Sequence, residues 1–405
     1  MKSFLVGAVF ATLVPFLSFA EDSKQEPQLI VQDVQCKGNT ATSCPFIVSF
    51  LYLSNGSKIN EDEIQNAKLR LSSLANFKSV DIHLEKGSEV GQAIVVIGVV
   101  EASPISTEVS VGTILRNSDL SMKAAGRVSH QNLFGKGKIL DFDIGARVPD
   151  SSDTGRLYSS RLQYVDPNVL GSKKFFLIGG ISYKNYLYTF RDDYHYSTEE
   201  LGADLSVGRR LWDFSYLTLG YQYRPISKIE TSRPTEDGTK TTKRDSNKKS
   251  VAIAYGWNSE DDAFFPTRGS RFNLSSVFST NDIGNNSATF YFGMSYRTSW
   301  QTRDNTIWTF KVGGNPGTEY RPSLDEDLNL SLAYSRPFMP KGIFGEVERG
   351  RWYVEGGSQR FGYSTYGGTY IDPGLKAGVR LDTKTFGIID LYAIASTDWR
   401  IGGGK

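Results

Sequence analysis

The sequence predicts a transmembrane antiparallel β-barrel of about sixteen strands, preceded by one small α+β domain. Three observations support this prediction. Residues 108–399 form a long series of segments that alternate apolar and polar side chains. The chain begins with an apolar segment typical of export. Between this segment and the alternating segments, residues 28–103 carry helical as well as strand patterns. The alternating segments end in Gly, Pro, Asp, Asn or Ser, the residues that dominate turns.

The alternation is clearest in residues 139–148. Leu140 and Phe142 fall on one face of a strand, and Asp141 and Asp143 fall on the other, because successive side chains in a strand point to opposite faces. One such strand would also fit a water-soluble sandwich. A long series of them, with bulky aromatics on the apolar face and charges on the other, is typical of a barrel in lipid with a wet interior.

The composition agrees with β-structure in a membrane. The chain has 24 Phe, 21 Tyr and 40 Gly among 405 residues, and aromatic residues favour strands and membrane interfaces. The mean hydropathy of -0.33 does not argue against a barrel, because alternation hides the membrane content from a window average. After the N-terminal segment we find no apolar run of about 18 residues, so we expect no spanning helix in the mature chain. The net charge of +2 gives no reason to expect a nucleic-acid partner.

Residues 1–20 are predicted to be a secretory signal peptide. Lys2 supplies the positive start, residues 4–17 the apolar core, and Ala20 ends a small-x-small cleavage site. An uncleaved anchor helix is the alternative, and the short core disfavours it. Residues 21–27 are polar and predicted to be a flexible lead-in. Export followed by barrel strands indicates the outer membrane of a Gram-negative-type cell.

A compact domain is predicted over residues 28–103, in the order strand, helix, helix, strand, strand. Asn60 is expected to cap the second helix. Cys36 and Cys44 are a candidate disulfide, since an oxidising periplasm permits one and the seven residues between them allow a small loop. A redox site would favour a tighter pair of the CxxC type.

This domain resembles a POTRA domain. The resemblance rests on the Gly38-Asn39 turn, on Gly56, on residues 74–77 with Val80, and on the last strand ending in Val99-Val100-Glu101. POTRA domains precede the barrel of the BamA/TamA outer-membrane assembly superfamily (the bacterial surface antigen type). The resemblance implies one POTRA domain in the periplasm and a barrel over residues 105–405 in the outer membrane.

The most specific local match lies in the barrel. Residues 130–137 resemble the "N-L-F-G-x-G" turn that follows the second barrel strand in this superfamily, and the matching residues are Asn132, Phe134, Gly135 and Gly137. Its glycines permit a tight turn with positive φ. Residues 261–269 are similar to the family's "P-T-x-G" turn.

The resemblance also implies a loop folded into the barrel. The family's loop arginine pairs with an acidic residue of an "F-x-D-x-G" strand, and Glu355 takes the acidic place here. Tyr320 matches the loop tip, but Thr318 and Glu319 stand where the family has Arg and Gly. We therefore expect Arg321 to pair with Glu355 instead.

The candidate lateral seam joins the first strand to a short last one. We count fifteen strands and a stub at residues 399–404; bacterial barrels have even strand numbers, which suggests sixteen, with twelve or fourteen as alternatives. The stub is expected to pair weakly with residues 108–115, because it is short and rich in glycine. The candidate seam residues are Val109, Val111, Trp399 and Ile401.

The resemblance implies insertion, assembly or translocation of outer-membrane or secreted proteins through that seam. The expected partners are outer-membrane lipid, unfolded client proteins, and periplasmic chaperones or accessory proteins. The alternatives are a passive pore or structural barrel without insertase activity, and a dedicated two-partner-type secretion pore. The three histidines lie far apart, and no GxSxG, HExxH or P-loop motif occurs. We therefore expect no enzyme activity, no catalytic residues, no cofactor and no metal.

Overall fold

The computed structural model describes residues 29–116, 119–149, 156–190, 194–231, 241–281, 287–315, 327–338, 347–364, 368–383, 387–397 and 399–401. The predicted signal peptide and lead-in lie outside these residues. Within them, no helix is both long and apolar enough to cross a membrane.

An α+β unit occupies the first part of the described chain. Its elements are β1 (Leu29–Lys37), α1 (Cys44–Ser49), β2 (Lys58–Ile59), α2 (Glu61–Ser72), β3 (Phe77–Lys86) and β4 (Gln92–Glu101). The sheet order is β2-β1-β4-β3. β1 and β4 are parallel, and the outer pairs are antiparallel. The order of elements agrees with the sequence prediction, apart from the added short strand β2.

Local signals explain the two helices of this unit. The Asn60 side chain accepts the Glu63 amide at 2.9 Å, and the Glu63 side chain reaches back to the Asn60 amide, forming a capping box. Pro45 occupies the first turn of α1. This helix ends at Ser49, and Arg70 donates to the carbonyls of Phe50 and Leu51 just beyond it, at 2.7 and 2.9 Å. The core between helices and sheet includes Val31, Ile47, Leu51, Leu71, Val95 and Ile97.

The remaining strands form the barrel wall, and each strand from β5 to β19 pairs with the next. Their bounds are β5 (Ile105–Arg116), β6 (Asp119–Leu133), β7 (Lys138–Pro149), β8 (Arg156–Asp166), β9 (Phe175–Phe190), β10 (Tyr194–Arg210), β11 (Ser215–Thr231), β12 (Thr241–Asn258), β13 (Gly269–Asn281), β14 (Ser287–Gln301), β15 (Ile307–Asn315), β16 (Asp327–Phe338), β17 (Val347–Ser364), β18 (Gly368–Thr383), β19 (Gly387–Ser396) and β20 (Trp399–Ile401).

The meander closes on itself through β5 and β19, which run parallel. The wall formed by the described residues therefore has fifteen strands, close to the predicted number of about sixteen. In a meander with an odd number of strands, the first and last run in the same direction, so the closing pair has to be parallel. The even-number argument from bacterial barrels was misleading here.

The two faces of the wall confirm the predicted fold class. Large apolar side chains on the outer face stay exposed, including Ile144 at 52% and Leu219 at 58%, as a lipid-facing surface requires. The inner face carries charges that pair with one another: Arg127 meets Asp143 at 2.5 Å. The alternation in the sequence therefore corresponds to lipid outside and a polar lumen inside.

The α+β unit lies against one end of the barrel, here called the near end. The Ser43 amide donates to the Gly135 carbonyl at 2.8 Å, in the turn between β6 and β7. Asn168, between β8 and β9, donates to Ser49 Oγ at 2.9 Å. Asn66 donates to Asp213, between β10 and β11, at 3.2 Å. Three successive turns thus hold the unit over this end.

Candidate functional site: the closing joint and its surroundings

The joint between β5 and β19 aligns nine residue pairs, from Ile388 opposite Glu108 to Ser396 opposite Arg116. Val109 and Val111, two of the predicted seam residues, lie on this joint and are 43% and 37% exposed on the lipid side. Their partners in the register are Ile389 and Leu391. The first strand of the predicted seam therefore lies at the closing joint, and its role as a seam stays a prediction.

Trp399 and Ile401 do not lie on this joint. They pair with β18, where Trp399 is opposite Ile371 and Ile401 is opposite Thr369. The prediction that the last short strand meets the first is wrong. The Thr397 amide donates to the Pro373 carbonyl at 3.1 Å, so the chain continues along β18 after a local irregularity. Thr397 interrupts the strand, and residues 399–401 pair with β18 beyond it.

The joint is also longer than the sequence suggested. Its nine pairs exceed the eight pairs between β14 and β15, so shortness does not distinguish it. What distinguishes it is the parallel direction, since the other fourteen joints of the described wall are antiparallel. Parallel pairing is slightly less stable per residue than antiparallel pairing.

Side chains on the lumenal side bridge the joint. Arg380 of β18 donates to Glu108 of β5 at 2.9 Å, and this ion pair passes over β19, which lies between them. Tyr353 of β17 donates its hydroxyl to Asp390 of β19 at 2.9 Å, passing over β18. Both contacts connect strands that are not hydrogen-bonded neighbours. They therefore restrain the closing strand from the inside, in addition to the backbone ladder.

Glu355 has a different partner from the expected one. Its carboxylate lies 2.7 Å from Lys311 Nζ and accepts the Ser331 hydroxyl at 2.5 Å. Tyr320 and Arg321, the expected tip of the inward loop, lie outside the described residues. The described part of the structure thus gives Glu355 a partner on β15, and its pairing with Arg321 stays a prediction.

The turn of residues 132–137 contacts the α+β unit. Asn132 shapes the turn by accepting the Gly137 amide at 2.9 Å, and its amide group donates to Thr42 Oγ1 at 2.9 Å. Gly135 and Gly137 have φ of +68° and +62°, and a Cβ on Gly135 would lie 2.4 Å from the Ala41 carbonyl. Phe134, in contrast, is 83% exposed. The glycines serve both the tight turn and the close approach.

The facing loop of the α+β unit is held by a carboxylate. Cys36 and Cys44 are joined by a disulfide, and Glu101 accepts hydrogen bonds from the amides of Ala41 and Thr42 at 2.9 and 2.6 Å. Burial alone would raise the pKa of Glu101, but these hydrogen bonds and those from Thr40 lower it to about 2. Glu101 thus fixes the loop that contacts the 132–137 turn.

A second contact between the two parts was not found from the sequence. Arg70 is only 7% exposed, and besides the carbonyls of Phe50 and Leu51 its guanidinium donates to the Asp213 carboxylate. Arg70 also stacks on the Tyr52 ring at 4.5 Å. An arginine on a helix and an aspartate in a turn give no sequence signal for pairing, since 143 positions separate them.

The turn between β12 and β13, residues 259–268, folds toward the lumen. Phe265 is 4% exposed although it lies in a turn. The sequence identified this turn by its "P-T-x-G" residues but did not indicate that it folds inward. A cavity of about 290 Å³ lies beside it, lined by the turn, by the first three barrel strands and by the α2–β3 connection. In the described residues, no group of three His, Cys, Asp or Glu side chains could hold a metal ion.

Two solved structures of CdiB have the same fold as this chain. CdiB from Acinetobacter baumannii is 10% identical with a TM-score of 0.56, covering 94% of this chain and 72% of that one. CdiB from Escherichia coli is 13% identical with a TM-score of 0.55, covering 88% and 70%. BamA from Haemophilus ducreyi lacking POTRA domains 1-3 is 13% identical with a TM-score of 0.47, covering 93% and 82%. A search of curated protein sequences finds no match.

The family comparison is more specific than these likenesses of fold. Residues 132–336 match the Omp85 superfamily domain. The matched segment begins at the turn that contacts the α+β unit and ends in β16. It spans about half of the 405 residues, and the protein is therefore an outer-membrane β-barrel of the Omp85 superfamily.

Proposed function

We propose that the protein assists the insertion, assembly or translocation of outer-membrane or secreted proteins by opening between β5 and β19. One observation carries this proposal: of the fifteen joints of the described wall, this one alone is parallel. The site of opening is therefore a specific pair of strands, lined on the lipid side by Val109, Val111, Ile389 and Leu391.

Separating these strands would create two sheet edges. An exposed edge presents unpaired N–H and C=O groups and is a template for another strand. An incoming polypeptide could add to such an edge by main-chain hydrogen bonds. Folding of the client into lipid would supply the free energy, so the mechanism requires no nucleotide.

The α+β unit lies at the end of the barrel that carries the short turns. Barrels of this class have short periplasmic turns and longer extracellular loops, and the unit lies against the short turns at residues 133–138, 166–175 and 210–215. We therefore infer that it is a periplasmic POTRA domain that receives unfolded clients or accessory proteins. Tyr320 and Arg321 remain the proposed inward loop tip.

A passive pore or a two-partner-type secretion pore is the second candidate, and the lumen favours it. A cavity of about 480 Å³ follows the inner wall between β5 and β11. Its charged lining consists of Glu108, Lys123, Arg127, Asp143, Arg161, Lys184 and Arg224. A polar lumen would suit passage of solutes or an extended chain while the joint stays closed.

A disulfide across the joint separates the candidates. Thr113 and Ala393 are partners in the register and both face lipid, so Thr113→Cys with Ala393→Cys should link β5 to β19. Ala124→Cys with Ala146→Cys links β6 to β7, also in register, and is the matched control. Each oxidised protein is placed in lipid vesicles, and the folding rate of an unfolded outer-membrane barrel is measured there.

We expect the seam disulfide to abolish the acceleration of client folding and a reductant to restore it, while the control disulfide has no effect. Full activity of the seam-linked protein would exclude lateral opening. In cells, depletion should lower the abundance of other barrels. Unchanged barrel assembly with altered uptake of small solutes would instead support the passive pore.

A further inference from the structure

The β12–β13 turn is held inside the near end of the barrel by its own acidic residues. Glu260 is 1% exposed and pairs with Arg271 and Arg297 at 2.9 and 2.6 Å, which fixes the turn to β13 and β14. Asp261 accepts the Thr267 amide at 2.8 Å and the Thr267 hydroxyl at 2.5 Å. The turn therefore has a defined shape rather than that of a loose loop.

The tip of the turn reaches the opposite strands. Asp262 accepts the amides of Phe264 and Phe265 at 2.8 Å each, and it pairs with Arg349 of β17 at 2.5 Å. Arg351, also on β17, donates to the carbonyls of Pro266 and Phe265 at 3.0 and 3.2 Å. β13 and β17 are separated by three strands in the wall, so these contacts cross the interior of the barrel.

Phe265 lies among three guanidinium groups. The ring centroid is 4.4 Å from Cζ of Arg349, 5.6 Å from that of Arg351 and 5.7 Å from that of Arg380. Arginine favours the face of an aromatic ring, and the attraction grows when both are removed from water. The Phe265 ring is removed from water, since the residue is only 4% exposed.

Arg380 joins this cluster to the closing joint. Besides its contact with Phe265, it donates to Glu108 of β5 at 2.9 Å, over the intervening β19. Glu108 and Arg380 are each about a quarter exposed. One continuous series of contacts therefore runs from the turn, through Phe265 and Arg380, to the first strand of the wall.

The cavity beside the turn gives it room to move. Ala263 and Phe264 line one side of this space, and Glu108 and Arg127 line another. Asn76 of the α+β unit also lines it, and its side chain donates to the Gln131 carbonyl at 2.9 Å. The turn, the closing joint and the α+β unit thus meet around one space of about 290 Å³.

We propose that the inward turn of residues 259–268 is a latch for the closing joint. Phe265 keeps Arg380 in the position from which it bridges to Glu108, and this bridge holds β5 against β18 and β19. Withdrawal of the turn frees Arg380, and the joint loosens. The consequence for client proteins rests on the function proposed above, but the coupling of turn to joint can be measured without a client.

Hydrogen–deuterium exchange of the full-length protein in lipid vesicles tests the coupling. Phe265→Ala should speed amide exchange in residues 108–116 and 388–396 by about tenfold, which corresponds to ~1.4 kcal/mol and lies between the values for an exposed and a desolvated cation–π contact. Amide exchange in residues 139–148 of β7, which pairs antiparallel with both of its neighbours, should not change. Leu170→Ala, which removes a fully exposed apolar side chain from another near-end turn, is the control and should change neither region.

A second variant shows whether the effect passes through the arginine. Arg380→Gln should speed exchange at the joint to a similar extent, and Phe265→Ala with Arg380→Gln should do no more than either change alone. The latch would be overturned if the two substitutions together multiplied their separate effects on the exchange rate. It would also be overturned if Phe265→Ala left amide exchange at the joint unchanged. Heat-modifiable migration in gels verifies that each variant is a folded barrel, and Phe265→Leu replaces Phe265→Ala if that variant does not fold.

The two proposals fail separately. If the linked pair at positions 113 and 393 stays active while Phe265→Ala loosens the joint, lateral opening is wrong and the latch stands. If the link abolishes activity but Phe265→Ala leaves exchange at the joint unchanged, the latch is wrong and lateral opening stands.

Discussion

Gly112 of β5 and Tyr392 of β19 are partners in the closing joint, and the tyrosine ring occupies the space that a side chain at position 112 would need. A Cβ on Gly112 would lie 2.2 Å from Cε2 of Tyr392. The same ring receives the Lys376 ammonium at 4.2 Å from its centroid. The glycine thus allows an aromatic contact to form directly over the parallel pair.

Gly112→Ala should loosen the joint. The new methyl group displaces the Tyr392 ring or pushes the strands apart, and overpacking of this kind costs about 1–3 kcal/mol. We expect a lower midpoint of thermal unfolding and faster amide exchange in β5 and β19.

Gly126→Ala in β6 is the matched control, because a Cβ there would meet its nearest atom, Cγ1 of Ile144, at 3.6 Å. This ordinary distance predicts a midpoint close to that of the wild type. Equal midpoints for the two variants would show that the ring moves aside without cost.

Asp213→Ala should loosen the attachment of the α+β unit to the barrel. Arg70 loses its carboxylate partner but keeps the two carbonyls, so the expected cost is about 1 kcal/mol, in the range of a partly exposed ion pair. Pulsed electron paramagnetic resonance between spin labels at positions 86 and 303 should show a broader distance distribution.

Glu348→Ala provides the comparison for Asp213. It removes a second ion pair between the unit and the barrel in the described part of the chain, Lys78 with Glu348 at 3.2 Å, whose side chains are 52% and 37% exposed. An exposed pair contributes little, so the distribution should stay narrow. A broad distribution in Glu348→Ala and a narrow one in Asp213→Ala would reverse the assignment of the main contact.

Gly137→Ala should disturb the same attachment from the turn side. Gly137 has φ of +62°, and a Cβ there would lie 2.0 Å from Cζ of the Phe46 ring. Both the backbone strain at position 137 and the clash with Phe46 weaken the contact between the turn and the α+β unit. We expect faster amide exchange in residues 41–47 of the loop and α1; unchanged exchange would mean that Phe46 can rotate away.

The loop held by Glu101 should loosen in acid. The pKa of Glu101 is lowered from 4.5 to about 2 by its hydrogen bonds, which outweigh burial. A lowered pKa in the folded state stabilises the fold above pH 4.5, and this contribution is lost as the pH falls toward 2. Amide protection of residues 40–42, corrected for intrinsic rates, should fall within this window. In Glu101→Gln it should be lower at neutral pH and lack this dependence.

The alternation of side chains was sufficient to predict the barrel, because a wall between lipid and water requires opposite chemistry on its two faces. Ile144 and Asp143 illustrate this requirement in adjacent positions. Closure could not be predicted in the same way. Whether residues 399–401 pair with β5 or β18 depends on a local irregularity at Thr397, where a polar break in sequence resembles a turn.

The contacts around the joint were equally invisible in the sequence. Glu108 and Arg380 are 272 positions apart, and their pairing depends on barrel closure. Phe265 has the sequence context of a turn, and only the acidic residues around it explain its inward position. The turn at Asn132 was identified because its glycines are required locally, whatever the rest of the chain does.

The odd number of strands determines the end of the barrel at which residues 399–401 lie. β19 runs parallel to β5 and so carries the backbone away from the α+β unit, whereas a meander with an even number of strands would return it to the same side. Residues 399–401 therefore emerge at the far end, beside the hairpin of β17 and β18. A molecule that binds these last described residues must approach from the opposite side of the membrane to one that binds the α+β unit.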